Sequence, residues 1–367
     1  MNGTTVGVGV LGCGTVGSAL CRLVAEHGDT IAARSGVRLH IARVAVHNLA
    51  RDRPVTFPDG VLTHDADELV ADPDVEVVVE LMGGMEPARR LIHTALEAGK
   101  PVVTANKEVL ANAGAELLEA AAKSGVDLLY EAAVAGAIPL IRPLRESLAG
   151  DRLVRVMGIV NGTTNFILTR MTESGQSFSE ALAEAQDLGF AERDPSADVE
   201  GWDAAAKAAI IASVAFGTNV VAGDVYREGI ASITADDIVM AGRLGYVVKL
   251  LAVVEAIGDG EVEGAAGPSE IAVRVHPAMI PVEHPLAVEE EQPVLRPPPG
   301  GEEEQRQLIG RQQLLLVEAE RDLPITLGQM PGSSRAALPN RLLSRRGSPR
   351  WACAGPSSSS KRTSCRT

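Results

Sequence analysis

Between Gly189 and Lys207 the chain reads Gly189-Phe190-Ala191-Glu192-Arg193-Asp194-Pro195, then Asp198, Glu200, Asp203 and Lys207, and it runs on into a long apolar stretch. A lone ammonium group entering an apolar helix must be paired, neutralised or used, because an isolated charge out of water is costly. Asp203 and Lys207 stand at i and i+4, so a helix puts both on one face. The surrounding Ala204-Ala205-Ala206 and Ala208-Ala209-Ile210-Ile211-Ala212 are strong helix formers and apolar on every side, which predicts a buried helix with Lys207 pointing into an enclosed polar site. Two readings follow: a buried structural ion pair, or a centre of chemistry served by the carboxylates before it.

Such a centre needs elements to hold it. Thr5–Leu11 is short and rich in valine, as a strand buried on both faces is, and it runs straight into Gly12-Cys13-Gly14-Thr15-Val16-Gly17 and a helical pattern from Ser18 to Glu26. Strand, glycines and helix in that order are the context of a dinucleotide-binding loop. Gly12 permits the tight turn, Gly14 lets a pyrophosphate approach the backbone, and Gly17 lets the helix pack closely, leaving amides free to bind the anion. A second strand is expected at Leu39–Val46. Where an NAD site would carry an acid for the ribose hydroxyl, this chain has His47 and Asn48, with Arg51 and Arg53 beyond. The missing repulsion and the two arginines favour NADP over NAD, unless the arginines are only a solvated loop.

Further strands are expected at Val75–Leu81, ending in Met82-Gly83-Gly84, and at Pro101–Thr104, ending in Ala105-Asn106-Lys107, with a helix Ala88–Ala98 between them and a last strand at Asp127–Tyr130. Ligands bind beyond the carboxyl ends of parallel strands, so Gly12, Gly83, Asn106 and Lys107 should line one crevice. After the small-residue run Glu131–Pro139 the period changes: Leu153–Val160 alternates, Asn161-Gly162-Thr163-Thr164-Asn165 leads into a helix from Phe166, and Ile271–Val275 reads as another strand. The fold class is therefore α/β. A Rossmann-type parallel sheet domain is expected over residues 1–130, and an α+β substrate and dimerisation domain over 131–288.

Composition narrows the partners. With 34 Lys plus Arg against 48 Asp plus Glu the net charge is −14, which argues against nucleic acid or an anionic membrane and for a small-molecule substrate. The four cysteines, Cys13, Cys21, Cys353 and Cys365, have neither metal-ligand nor disulfide spacing, and the N-terminus has no leader pattern, so a cytoplasmic protein is expected. A carbonyl oxidoreductase built on a nucleophilic cysteine is disfavoured, since Cys13 lies in the glycine loop and Cys21 on the first helix. One built on a histidine acid has only His47 and His64 near strand exits, and His276 before Pro277 reads as structural.

Taken together, Gly12–Gly17, Thr104-Ala105-Asn106-Lys107, Asn161–Phe166 with Ile167-Leu168, Glu192-Arg193-Asp194-Pro195 with Asp198, Gly201, Asp203 and Lys207, and Val275-His276-Pro277 resemble the homoserine dehydrogenases of bacteria, from the N-terminus to about Val288. The resemblance implies NAD(P)-dependent interconversion of L-homoserine and L-aspartate 4-semialdehyde, in threonine, methionine and isoleucine synthesis. It implies Lys207 as proton donor to the aldehyde oxygen, Lys107 beside nicotinamide and substrate, Glu192 on the substrate amino group, Asp203 orienting the reacting group, and Asp198 in the substrate-binding set. Gly12, Gly14, Thr15, Val16, Gly17, Arg51, Gly83, Thr104, Asn106 and Lys107 form the expected cofactor set. A monovalent cation, Na+ or K+, is implied on the main-chain carbonyls of Glu131, Val134, Gly136 and Ile138, and a homodimer or homotetramer as the assembly.

The family pattern stops near Val288. Glu289-Glu290-Glu291, Arg296-Pro297-Pro298-Pro299 and Glu302-Glu303-Glu304 are low in complexity, and the last part is basic and aperiodic. Residues 289–367 are expected to be a poorly ordered tail without a recognisable regulatory domain, holding one helix near Gln305–Arg321. A shifted reading frame or a diverged end accounts for the break. The alternative function is then an impaired nucleotide-binding or dimerisation remnant.

Overall fold

In the computed structural model, which describes residues 4–136, 138–261, 268–287, 314–319 and 325–327, the N-terminal segment from Thr4 to Leu129 forms one parallel sheet. In chain order its elements are β1 (Thr4–Leu11), α1 (Thr15–Ser35), β2 (Val37–Ala45), β3 (Leu62–Thr63), α2 (Ala66–Ala71), β4 (Val77–Glu80), α3 (Ala88–Glu97), β5 (Val102–Thr104), α4 (Lys107–Ser124) and β6 (Leu128–Leu129). The strands lie in the order β3-β2-β1-β4-β5-β6, and each neighbouring pair is parallel. This is the expected Rossmann-type sheet. The order reverses between β1 and β4, so a crevice opens at the carboxyl ends of those two strands.

Helix α1 starts three residues earlier and ends nine later than its apolar pattern suggests. Gly14 serves as its N-cap, and Gly36, in the left-handed region with φ 75°, closes it by donating to the Ala32 carbonyl. Intrinsic helix preference and a glycine stop carry the helix through the polar stretch after Glu26.

The second half forms a mixed sheet. After β7 (Leu153–Ile159) come α5 (Gly162–Ser174), α6 (Phe178–Asp187), α7 (Ser196–Val199), α8 (Trp202–Phe216), β8 (Tyr226–Arg227), α9 (Ala235–Arg243), β9 (Tyr246–Glu261), β10 (Pro268–Pro281), β11 (Leu314–Ala319) and β12 (Ile325–Leu327). The order is β12-β11-β7-β9-β10-β8, antiparallel except for β10 with β8. The long central strand β9 has no counterpart in the sequence reading. Its segment Leu250-Leu251-Ala252-Val253-Val254 is apolar without alternation, because Leu250, Ala252 and Val254 face one hydrophobic cluster while Leu251 and Val253 face another. β10 extends well past Val275, through Pro277 and Pro281; as β8 pairs only with Arg274 and Val275, most of that edge is open and tolerates proline.

The helix expected over Gln305–Arg321 is corrected by the structure: within it Leu314–Ala319 is a strand, antiparallel to β7 with Leu314 opposite Ile159 and Val317 opposite Val156. The otherwise open edge of β7 offers unpaired backbone groups, and pairing with them outweighs the local helical preference. The rest of the expected tail, and Cys353 and Cys365, lie outside the described residues.

Helix α8 is the keel of the molecule. Ala204, Ala205, Ala208, Ala209, Ile210, Ile211 and Ala212 are buried in one hydrophobic cluster that includes Leu117, Ala120 and Ala121 of α4 and Val156, Val254 and Val275 of the mixed sheet. Alanine lets α4 and the strands approach closely, so the first turns of α4 and α8 meet where the two sheets join. Among the described residues no helix is long and apolar enough to cross a membrane.

Candidate active site

The first turn of α4 and the first two turns of α8 bring Lys107, Asp203 and Lys207 together. The Asp203 carboxylate is buried, with 6% of its side chain exposed; one oxygen accepts from the Lys107 amine and the other pairs with Lys207 Nζ at 2.9 Å. Lys207 Nζ also donates to the Val160 carbonyl at 2.8 Å. The two amines differ in access: the Lys207 side chain is 12% exposed and the Lys107 side chain 45%, so Lys107 stands at the opening and Lys207 lies within.

Asn161 ties the carboxylates to one another. Its Nδ2 donates to Asp198 Oδ1 at 2.7 Å and to Asp203 Oδ2 at 2.9 Å, while its Oδ1 accepts from the Thr164 amide at 2.9 Å and the Thr164 hydroxyl at 2.8 Å. As N-cap of α5 it fixes the start of that helix four residues before Phe166, where the sequence reading began it. Asn165 Nδ2 donates to the Leu250 carbonyl at 3.2 Å and its Oδ1 accepts from the Leu250 amide at 3.0 Å, so the helix is pinned to β9. The motif Asn161–Asn165 is thus a bracket between the carboxylates and the sheet.

Charge follows geometry. Burial alone would raise the Asp203 pKa, but the ammonium groups of Lys207 and Lys107 overcome it and bring the carboxyl down to about 2. Asp198 moves the other way: burial raises it, the Asn161 amide opposes, and the Asp203 charge adds to the rise, with Lys107 and Lys207 pulling down. One carboxylate is locked ionised between two amines, while its neighbour is held nearer the point of protonation.

On the cofactor side the three glycines have distinct duties. A Cβ at Gly12, whose φ is 96°, would lie 2.8 Å from the Leu81 carbonyl oxygen, and one at Gly17 would lie 2.2 Å from the Gly12 carbonyl oxygen. Gly14 has nothing within 4 Å of such an atom, so the space before the first turn of α1, with Thr15 and Val16, is open to an anion. Beside it, Gly83 and Gly84 take left-handed φ of 77° and 74°. These residues fit a dinucleotide.

Other predicted residues stand apart from the bonded cluster. Thr104 is buried and donates to Glu80 Oε2 at 2.6 Å, so its side chain faces inward rather than into the crevice. Asn106 caps α4 by accepting from the Val109 amide at 3.1 Å and donates to the Gly84 carbonyl at 2.8 Å. Arg53 turns back onto its loop, donating to the carbonyls of Asn48 at 2.5 Å and Arg51 at 2.8 Å, which leaves Arg51 as the exposed arginine. Glu192 is exposed outside the cluster, with its carbonyl held by Gln186 Nε2 at 3.0 Å. Glu131 uses its carboxyl to accept the amides of Leu140, Ile141 and Arg142 at 2.5, 2.7 and 2.9 Å, capping the next helical turn. Val134 and Ile138 follow it, and Gly136 between them has φ 59°.

Two residues of these hydrogen-bond networks have no role assigned from sequence. Asn161 stood in a recognised motif but had no assigned role, and Glu80 was read only as part of a strand. The available signal for Glu80 was an acid closing the all-valine strand Val77-Val78-Val79.

Fold and site define the class: a dinucleotide-binding parallel-sheet domain joined to a mixed-sheet domain, with a lysine–carboxylate centre at the seam. A family model described as "Homoserine dehydrogenase, NAD binding domain" matches residues 12–131, and one described as "Homoserine dehydrogenase" matches residues 139–296. The homoserine dehydrogenase of Corynebacterium glutamicum is 52% identical over 285 residues, 78% of this chain and 63% of that protein. That of Mycobacterium tuberculosis is 53% identical over 282 residues, 77% of this chain and 62% of that protein. Among solved structures, a homoserine dehydrogenase from Thiobacillus denitrificans superposes with TM-score 0.73 at 36% identity, covering 88% of this chain and 68% of that one. A hyperthermophilic archaeal homoserine dehydrogenase in complex with NADPH superposes with TM-score 0.65 at 25% identity, covering 88% and 91%. The chain belongs to the homoserine dehydrogenase family, and it spans about 63% of the length of the Corynebacterium glutamicum relative.

Proposed function

We propose that this chain interconverts L-homoserine and L-aspartate 4-semialdehyde, and the observation that carries the reading is the pair of amines on one buried carboxylate, Lys107 and Lys207 on Asp203. The nicotinamide cofactor supplies or accepts the hydride when bound. Lys207 Nζ is held by Asp203 and the Val160 carbonyl, which leaves one of its three N–H donors for a substrate oxygen. In the reducing direction it donates to the aldehyde oxygen and gives up a proton as charge develops there; in the oxidising direction it takes the hydroxyl proton back. Asp203 keeps both amines oriented. Lys107, at the opening, holds the substrate against the cofactor crevice, with Glu192 and Asp198 as partners for the substrate amino group.

The finer parts of the reading have their own support. NADP is favoured because Arg51 is exposed beyond β2, where His47 and Asn48 replace the acid that would repel a 2′-phosphate. A monovalent cation would sit on the carbonyls of Glu131, Val134, Gly136 and Ile138; the Glu131 carboxyl is already occupied by three amides, so only its carbonyl is on offer. A homodimer or homotetramer accords with Ile257, Met279 and Val282, large apolar residues left exposed on and just beyond the β9–β10 ribbon. A cytoplasmic setting suits the absence of disulfide spacing among the cysteines. Residues 1–130 would form the cofactor domain and 131–288 the substrate domain.

The test is NADPH consumption with L-aspartate 4-semialdehyde. Aldehyde-dependent oxidation supports the reading. Protein that binds NADPH but consumes none with the aldehyde is instead the binding remnant.

A further inference from the structure

Glu80, the last residue of β4, is fully buried. Its Oε2 accepts from Thr104 Oγ1 at 2.6 Å, and its Oε1 accepts from the amides of Met82 at 2.8 Å and Gly83 at 3.3 Å and from Asn106 Nδ2 at 3.5 Å. Thr104 Oγ1 accepts in turn from the Asn106 amide at 3.0 Å. One carboxyl group therefore joins two loops that leave adjacent strands. The first, Met82-Gly83-Gly84, lies against the glycine loop, since a Cβ at Gly12 would come within 3.0 Å of Met82 Cα. The second carries Asn106, the cap of α4, and then Lys107, whose amine reaches Asp203.

Packing alone does not call for an acid here. β4 is otherwise Val77-Val78-Val79, and an apolar side chain of similar volume would fill the space without the desolvation cost of a carboxyl. What an apolar residue could not do is accept from both loops at once. We propose that Glu80 is a positioning residue: it sets the register between the Met82–Gly84 loop and the Asn106–Lys107 turn, and so holds Lys107 in reach of Asp203 and the cofactor crevice. This rests on the reading that Lys107 serves the interconversion of homoserine and the semialdehyde.

The experiment is a double-mutant cycle with a binding arm. Glu80→Gln keeps the shape but removes the charge and replaces one acceptor by an NH2 group, so either the Thr104 hydroxyl must reverse to accept or an amide of the Met82–Gly83 loop loses its acceptor, and Thr104→Val removes a single hydroxyl and leaves Glu80 in place. Each is made with Lys107 intact and with Lys107→Ala, and kcat with the aldehyde and the NADPH Kd from nucleotide fluorescence are measured. With Lys107 intact, Glu80→Gln should lower kcat roughly tenfold to a hundredfold, as misplacement of a reacting group does. In the Lys107→Ala background the same change should lower kcat by less than about threefold, because the group being positioned is gone. Thr104→Val should act in the same direction by a smaller factor, and it carries the cycle if Glu80→Gln does not fold. Equal losses in both backgrounds would mean a merely structural residue and would overturn the proposal. If wild-type protein consumes no NADPH with the aldehyde, the proposed function falls, and the binding arm decides: a weakened NADPH Kd in both variants supports the positioning role, and an unchanged one overturns it.

Discussion

The Asp203 carboxyl is the residue on which most of this account turns, and its ionisation has a measurable cost. Its folded pKa of about 2 lies below the ordinary 3.8, so its contribution to stability is fully present above the ordinary value and is lost as pH falls towards 2. The size is about 2 kcal/mol for a shift of this order. Urea unfolding followed between these limits should show wild type losing that much more than Asp203→Asn; equal losses would mean that the two amines do not hold the carboxylate. Asp198 gives a test of the opposite sign. Its pKa is raised by burial and by Asp203, and the Asn161 amide is the opposing contact, so Asn161→Ala should raise it further. The acid limb of the kcat/KM profile should then move to higher pH, and an unmoved limb would remove Asp198 from the working site. Lys207 and Asp203 were legible in the sequence because they share one turn of an apolar helix. The bond from Lys107 to Asp203 was not, since 96 residues separate the partners and only the packing of α4 on α8 brings them together.

At the scale of elements, the loop between β1 and α1 separates the two duties of glycine. Gly17→Ala would drive a methyl group into the Gly12 carbonyl, a backbone group that cannot swing away, and it should destabilise by about 1–3 kcal/mol in denaturant unfolding. Gly14→Ala meets open space at an ordinary φ of −82°, so stability should stay within about 0.5 kcal/mol while NADPH binding weakens, because the methyl occupies the approach of the pyrophosphate. Equal effects of both on stability would contradict this division. β1 and β4 were readable because their valine-rich segments run into glycines, residues 6–11 before Gly12 and residues 77–79 before Gly83, whereas the two-residue strand β3 (Leu62–Thr63) leaves no such signal. β9 escaped for a related reason: apolar on both sides of the mixed sheet, it shows no period of two. β11 escaped because its pairing with β7 spans more than 150 residues of chain, and no local pattern announces it.

At the scale of the whole molecule, the two sheets share, among the described residues, one hydrophobic cluster through α4 and α8 that holds Lys107 and the Asp203–Lys207 pair, while the glycine loop and α1 pack on a separate cluster around Val8, Val10, Cys21, Val44 and Val46. The buried side chains of Asn161, Asn165 and Glu80 add polar contacts that an apolar core would not need: Asn161 reaches Asp203, Asn165 ties α5 to β9, and Glu80 joins Thr104 to the Met82 and Gly83 amides. The central claim is that this assembly transfers a proton through Lys207 during reduction of the semialdehyde. Its most direct test is kcat for NADPH oxidation with L-aspartate 4-semialdehyde, wild type against Lys207→Ala at equal NADPH saturation. The account predicts a fall of about a hundredfold to ten-thousandfold with NADPH binding intact; equal turnover by the two proteins would contradict it.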